Sequence, residues 1–207
     1  MTMDIPMHTT AGLIDLAHLQ PGHMTAEAIG DTLAKINRFN GRTPHPWSVA
    51  AHSVLVEALC PEVDMKGWAL LHDAHEAFIG DITIPGLELI CASGTGIAVR
   101  NAVKNVKGSL DRKIGGAWEC APRSQSYEVR RADWLACEAE MAVFFGAPLD
   151  AHPPADREQI LRACDLISDL PTGGRWEAAR DLWISRAEAL ASMGLLRLPR
   201  SNTHTDL

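Results

Sequence analysis

The densest run of chemistry-bearing side chains is LLHDAHEAFIGD, where His72, Asp73, His75 and Glu76 stand among Leu70, Leu71 and Phe78. Burying an imidazole and a carboxylate beside apolar neighbours is costly unless something pairs with them. A divalent cation is one such partner, because both side-chain types are common ligands. A His-Asp pair satisfied by local hydrogen bonds is the other, and the dipeptide by itself does not separate the two. Glu76 adds a carboxylate four residues after His72, on the same face of a helix, where it could serve acid–base chemistry on an activated water. Asp81 follows Gly80, where backbone can approach a ligand closely. The order H-D-A-H-E matches neither H-E-x-x-H nor H-x-x-E-H, so a helical metalloprotease is disfavoured. His75 therefore reads as a histidine beside the site or at the surface, not as a ligand.

Two more polar residues interrupt apolar helical stretches: His52 in SVAAHSVLV and Asp133 in VRRADWLACEAEM. Alone, each has an ordinary reading, a satisfied core histidine and a salt bridge to Arg130 or a neighbouring helix. Together His52, His72, Asp73 and Asp133 would make an octahedral site with open water positions, and one cation would clamp three helices.

The segments INRFNGRTPHPWSVAAHSVLV, LLHDAHEAFIGDITIP and VRRADWLACEAE resemble, in order and spacing, those of the HD-superfamily phosphohydrolases, whose pattern is H…HD…D. The likeness runs over residues 11–145 and is strongest to bacterial 5'-deoxynucleotidases and related phage and bacterial HD proteins. It implies an all-α HD bundle with His52, His72, Asp73 and Asp133 as metal ligands, Glu76 as the acid–base or water-orienting residue, and Asp81 against the sugar or the activated water. It also implies that Arg38 grips the substrate phosphate, with Phe39 as an aromatic wall where relatives often have tryptophan. The cofactor implied is one divalent ion (Mn, Co, Fe, Zn, Ni or Mg). The reaction implied is release of phosphate from a (deoxy)nucleoside 5'-monophosphate by attack of metal-activated water. Hydrolysis of a (deoxy)nucleoside triphosphate, with release of triphosphate or pyrophosphate, is an alternative. A catalytically silent nucleotide-binding or regulatory module is another, though such a module has no need of Glu76 beside the metal. By the same likeness the protein is expected to be a homodimer. Three positions depart from relatives: Glu88 instead of a lysine after GDITIP, His75 in place of a small residue, and His45 in the loop before Trp47.

The elements that must hold these residues are helical. Thr25 caps a helix whose stripe of Ile29, Leu33, Ile36 and Phe39 runs to Asn40-Gly41. Ser48 caps Val49–Leu59, which Cys60-Pro61 ends. A third helix is expected from Lys66 to Phe78, followed by a loop bracketed by Gly80 and Pro85. Further helices are expected over 95–118, 126–145, 156–168 and 175–193, with a polar, frayed tail over 199–207. The apolar C-terminal helix with Trp176, Leu182, Trp183 and Leu190 either caps the core or forms the dimer interface.

The chain, 207 residues long, is expected to be a single all-α domain with its core over about 11–145 and a helical extension over about 155–195. A net charge of −7, without a basic run, argues against a nucleic-acid polymer as partner. The cluster Lys104–Lys107 reads as a solvated helix face. Five scattered cysteines, odd in number and without a C-x-x-C pair, argue against disulfides or a zinc ribbon and for a reducing, cytoplasmic setting. No secretory signal or membrane-length apolar run is visible, so no membrane partner is expected.

Overall fold

The computed structural model describes residues 4–171 and 174–201. Residues 202–207 of the expected tail lie outside the described residues. The chain is mostly helical, as its periodicities predict, with one short antiparallel hairpin that they do not. In that hairpin β1 (Pro6–Thr9) pairs with β2 (Gly12–Asp15), with Met7 opposite Ile14. Gly12 takes φ 115°, a conformation open to glycine, and so allows the tight reversal.

Three helices build the frame: α1 (Ala26–Lys35), α2 (Val49–Leu59) and α3 (Lys66–Leu71). Helix α2 starts where Ser48 accepts from the Ala51 amide at 3.2 Å and stops at Cys60, before Pro61. Every residue from Val49 to Glu57 is buried, so α2 is the central helix. Around it lie α1, α3, α7 (Tyr127–Phe145), α8 (Pro154–Asp169) and α9 (Trp176–Ser192). The buried Glu57 is tolerated because it is fully paired. Arg186 of α9 takes both its oxygens, at 3.0 and 2.9 Å, and Lys66 reaches Oε1 at 3.2 Å.

Helix α9 closes the core: Trp183 and Leu190 are fully buried, and Trp183 meets Trp118 edge-on at 5.8 Å. Close approach of α1 to α9 depends on Gly30, where a Cβ would lie 3.0 Å from the Trp183 ring. Helix α7 is bounded as expected, by the Ser126 cap and by Gly146 at φ 66°. The pair α5 (Ile84–Cys91) and α6 (Gly96–Ala117) completes the order, with α4 (Glu76–Ile79) between α3 and α5. Ile84, Leu89 and Ile90 on α5 and Ile97 on α6 are exposed.

Two expected boundaries change. Helix α1 ends at Lys35, not near Asn40, because Ile36 turns extended and Asn37 bridges Ser48. The Val49 amide then donates to the Ile36 carbonyl at 3.0 Å, and the Arg38 amide to the Trp47 carbonyl at 2.9 Å. Helix α5 begins inside the expected loop, since Thr83 caps it and proline is tolerated in a first helical turn. Among the described residues, no helix is long and apolar enough to cross a membrane.

Candidate metal centre

His52 comes from α2, Asp133 from α7, and His72 and Asp73 from the segment after α3. The expected continuous helix over 66–78 is broken there. Amide donors reach back three residues: Ala74 to Leu71 at 2.9 Å, Glu76 to Asp73 at 2.9 Å, and Phe78 to His75 at 3.1 Å. This is the tighter winding in which residues i and i+3 eclipse. Glu76 stands one such turn after Asp73, and one ligand atom each of Asp73, His75 and Glu76 lies within 4.8 Å of the others.

The four expected ligands do converge. His52 Nε2 lies 3.2 Å from Asp133 Oδ1, and Asp133 Oδ1 lies 3.8 Å from His72 Nε2. His72 Nε2 lies 3.2 Å from Asp73 Oδ2, which lies 3.8 Å from His52 Nε2 and closes the ring. Adjacent ligands bound about 2.1 Å from one ion sit roughly 3 Å apart, so the ring needs only slight contraction. Both imidazoles are oriented from behind. His52 Nδ1 donates to Glu140 Oε1 at 2.6 Å, and His72 Nδ1 to the Ala69 carbonyl at 2.8 Å. Holding the proton on Nδ1 turns the Nε2 lone pair toward the carboxylates. His72 Nε2 is buried without a hydrogen-bond partner, and a cation is what such a lone pair accepts. Two imidazoles and two carboxylates fit a divalent transition metal.

The electrostatics describe a place that favours positive charge. Burial works against a charged His72, yet the Asp73 and Asp133 carboxylates raise it to about 9. His52 is also raised: burial and Arg38 oppose its charge, but Glu140 and Asp133 outweigh them. Burial pushes Asp73 and Asp133 up, and the neighbouring histidines more than reverse this.

Around the ring, Arg38 lies at the rim with its guanidinium engaged. Its Nε and Nη2 donate to Glu140 Oε2 at 3.0 and 2.9 Å, and Nη1 is 3.8 Å from Asp73 Oδ2. Phe39 has φ 55°, strained by about 1–2 kcal/mol for a bulky residue. Its ring packs edge-on to Phe145 at 5.1 Å, with the Arg38 guanidinium 5.4 Å from its centre. Glu76 is only 4% exposed. Burial, then Asp73 and Asp81, push its carboxyl up to about 9. Asp81, part-buried, is also raised by burial and Asp73, against Arg38 and Lys107. It follows Gly80, whose φ of 76° favours glycine.

Two residues play parts that the sequence reading did not give them. Glu140 is fully buried and receives Arg38, His52 and the Trp47 indole, the last at 2.7 Å. The available signal was spacing: Glu140 follows Asp133 by seven residues, two helical turns, and so shares its face. His75, expected beside the site or at the surface, is buried, with Nδ1 2.9 Å from Asp111 Oδ1.

No protein-family model matches the chain. Over 80 residues it is 39% identical to an uncharacterized protein of Rhodobacter capsulatus, covering 35% of this chain and 41% of that one. Over 57 residues it is 44% identical to the uncharacterized protein YfdR of Escherichia coli strain K12, covering 28% and 32% of the two chains. The chain thus spans less than half the length of either relative. Neither name states an activity.

Proposed function

We propose that this chain is an HD-type, divalent-cation-dependent phosphohydrolase that releases phosphate from (deoxy)nucleoside 5'-monophosphates. The observation that carries the proposal is the ring of two imidazole nitrogens and two carboxylate oxygens, spaced 3.2–3.8 Å, drawn from three parts of the chain. His52, His72, Asp73 and Asp133 would hold the cation. When bound, it supplies Lewis acidity, lowering the pKa of water and polarising a phosphoryl oxygen.

The chain's own groups account for the rest. Arg38 is fixed by Glu140 beside Asp73, where a planar guanidinium meets phosphoryl oxygens and offsets their growing charge. Burial raises both carboxyls, that of Glu76 to about 9, so Glu76 holds a proton to give to the leaving oxygen and Asp81 is the carboxylate that takes the proton released when water attacks. Phe39 stands next to Arg38 and offers a ring face to the nucleoside. A homodimer and a cytoplasmic setting belong to the same proposal. The first rests on the family resemblance, the second on five free thiols.

Product analysis tests the reaction. Protein loaded with Mn or Co is incubated with nucleoside mono- and triphosphates, and the phosphorus products are separated. Free phosphate from monophosphates is the expected result. Triphosphate or pyrophosphate from triphosphates would replace the substrate assignment. No turnover with any divalent metal would overturn the enzyme reading.

A further inference from the structure

Among the described residues, a second cluster of donors lies against the ring, and nothing in the proposed reaction uses one of its members. We propose that Asp73, His75 and Glu76 bind a second divalent cation, with Asp73 shared between the two ions. This inference rests on the reading of the first centre.

The three residues each place a donor within 4.8 Å of the others. His75 and Glu76 are 5% and 4% exposed. His75 Nε2 and Glu76 Oε2 are buried polar atoms with no hydrogen-bond partner. Unpaired buried donors or acceptors are costly, and two in one cluster point to a missing common partner.

His75 is oriented as the two ring histidines are. Its Nδ1 faces Asp111 Oδ1 at 2.9 Å, while Asp111 Oδ2 accepts from Ser124 Oγ at 3.2 Å. Ser124 in turn accepts from the Trp68 indole at 3.1 Å. This chain of bonds fixes Asp111 as an acceptor, keeps the imidazole proton on Nδ1 and leaves the buried Nε2 with a lone pair that no hydrogen bond uses. A cation bound by this lone pair and by the unpartnered Glu76 Oε2 would supply the partner that each lacks and displace the proton that burial keeps on Glu76. Lys107 does not fill that place, since its Nζ faces the other glutamate oxygen, Oε1, at 3.7 Å. Asp73 has Oδ2 in the first ring, so its second oxygen is the one available to bridge.

Two ions sharing one carboxylate stand about 3.5–4 Å apart, a spacing that suits a phosphoryl group held between them. Glu76 is then a ligand, and Asp81 is left to carry the proton.

Metal counting with electron paramagnetic resonance decides the matter. Metal-stripped protein is titrated with Mn(II), and bound ions per chain are measured after gel filtration. The wild type takes up two ions per chain and gives the spectrum of an exchange-coupled pair. His75→Ala and Glu76→Gln each retain one ion, with the spectrum of isolated Mn(II). Asp111→Asn weakens only the second ion, by about 10–100-fold. One ion in the wild type, with nucleotide hydrolysis intact, overturns the second site alone. Two ions retained in both His75→Ala and Glu76→Gln overturn it equally. No bound ion in the wild type overturns the first centre with it. The wild-type count stands even where a variant fails to fold.

Discussion

Asp133→Ala protein loses its ring-bound cation and at least about a thousandfold of its phosphate-releasing rate, while its fold survives. The loss follows from the ring, because Asp133 Oδ1 faces both His52 Nε2 and His72 Nε2 and its removal leaves Asp73 as the one carboxylate of the ring. The fold survives because Asp133 is the most open of the four ring residues. Its side chain is 47% exposed, against 0% for His52 and 7% for His72, so its removal opens little cavity. Metal analysis, turnover and circular-dichroism melting on one preparation check all three parts. Metal retained at the wild-type level in the variant removes Asp133 from the ligand set.

Glu140→Ala has the opposite balance, a large loss of stability with the four proposed ligands themselves unaltered. Glu140 is fully buried and is the common acceptor for Arg38, Trp47 and His52. Its removal leaves the Arg38 charge, an indole N–H and an imidazole N–H without their partner. Breaking one side of a buried charge pair costs about 3–5 kcal/mol, which at this chain length lowers the midpoint by roughly 10 °C. Glu140→Gln keeps the shape but not the charge. It frees Arg38 and His52 to shift, and cation affinity falls about 10–100-fold. The pH dependence has a definite sign. Burial alone would raise the Glu140 carboxyl, but His52, Arg38 and Trp47 hold it below its ordinary value. Its stabilisation is therefore present at neutral pH and disappears as the pH falls through that lowered value. A melting midpoint for Glu140→Ala within about 2 °C of wild type contradicts this placing.

Helices α2 and α7 were legible because each is bounded by chemistry that acts locally. Ser48 and Ser126 cap the starts, while Pro61 and Gly146 enforce the ends. The end of α1 was not, although Ile36 and Phe39 continue its apolar period. What ends the helix is pairing with Trp47, Ser48 and Val49, residues too distant for a periodicity to register. The break after Leu71 was hidden for another reason: over one turn, three and 3.6 residues per turn give nearly the same pattern. The hairpin of β1 and β2 is too short and too exposed to show an alternating core face. At the site, His52, His72, Asp73 and Asp133 stood out as polar residues in apolar stretches, and the fold brings all four together. Arg38 was found but not its partner. The burial of His75 was not legible because Asp111, whose carboxylate meets its Nδ1, lies 36 residues further along the chain.

The proposed reaction depends on a cation at the ring, and anomalous scattering from crystals grown with Mn or Co locates such an ion directly. The expected result is a peak about 2.0–2.3 Å from His52 Nε2, His72 Nε2, Asp73 Oδ2 and Asp133 Oδ1 together. A well-ordered ring with no peak, or a peak bound elsewhere, would contradict the metal centre and the hydrolytic chemistry proposed for it.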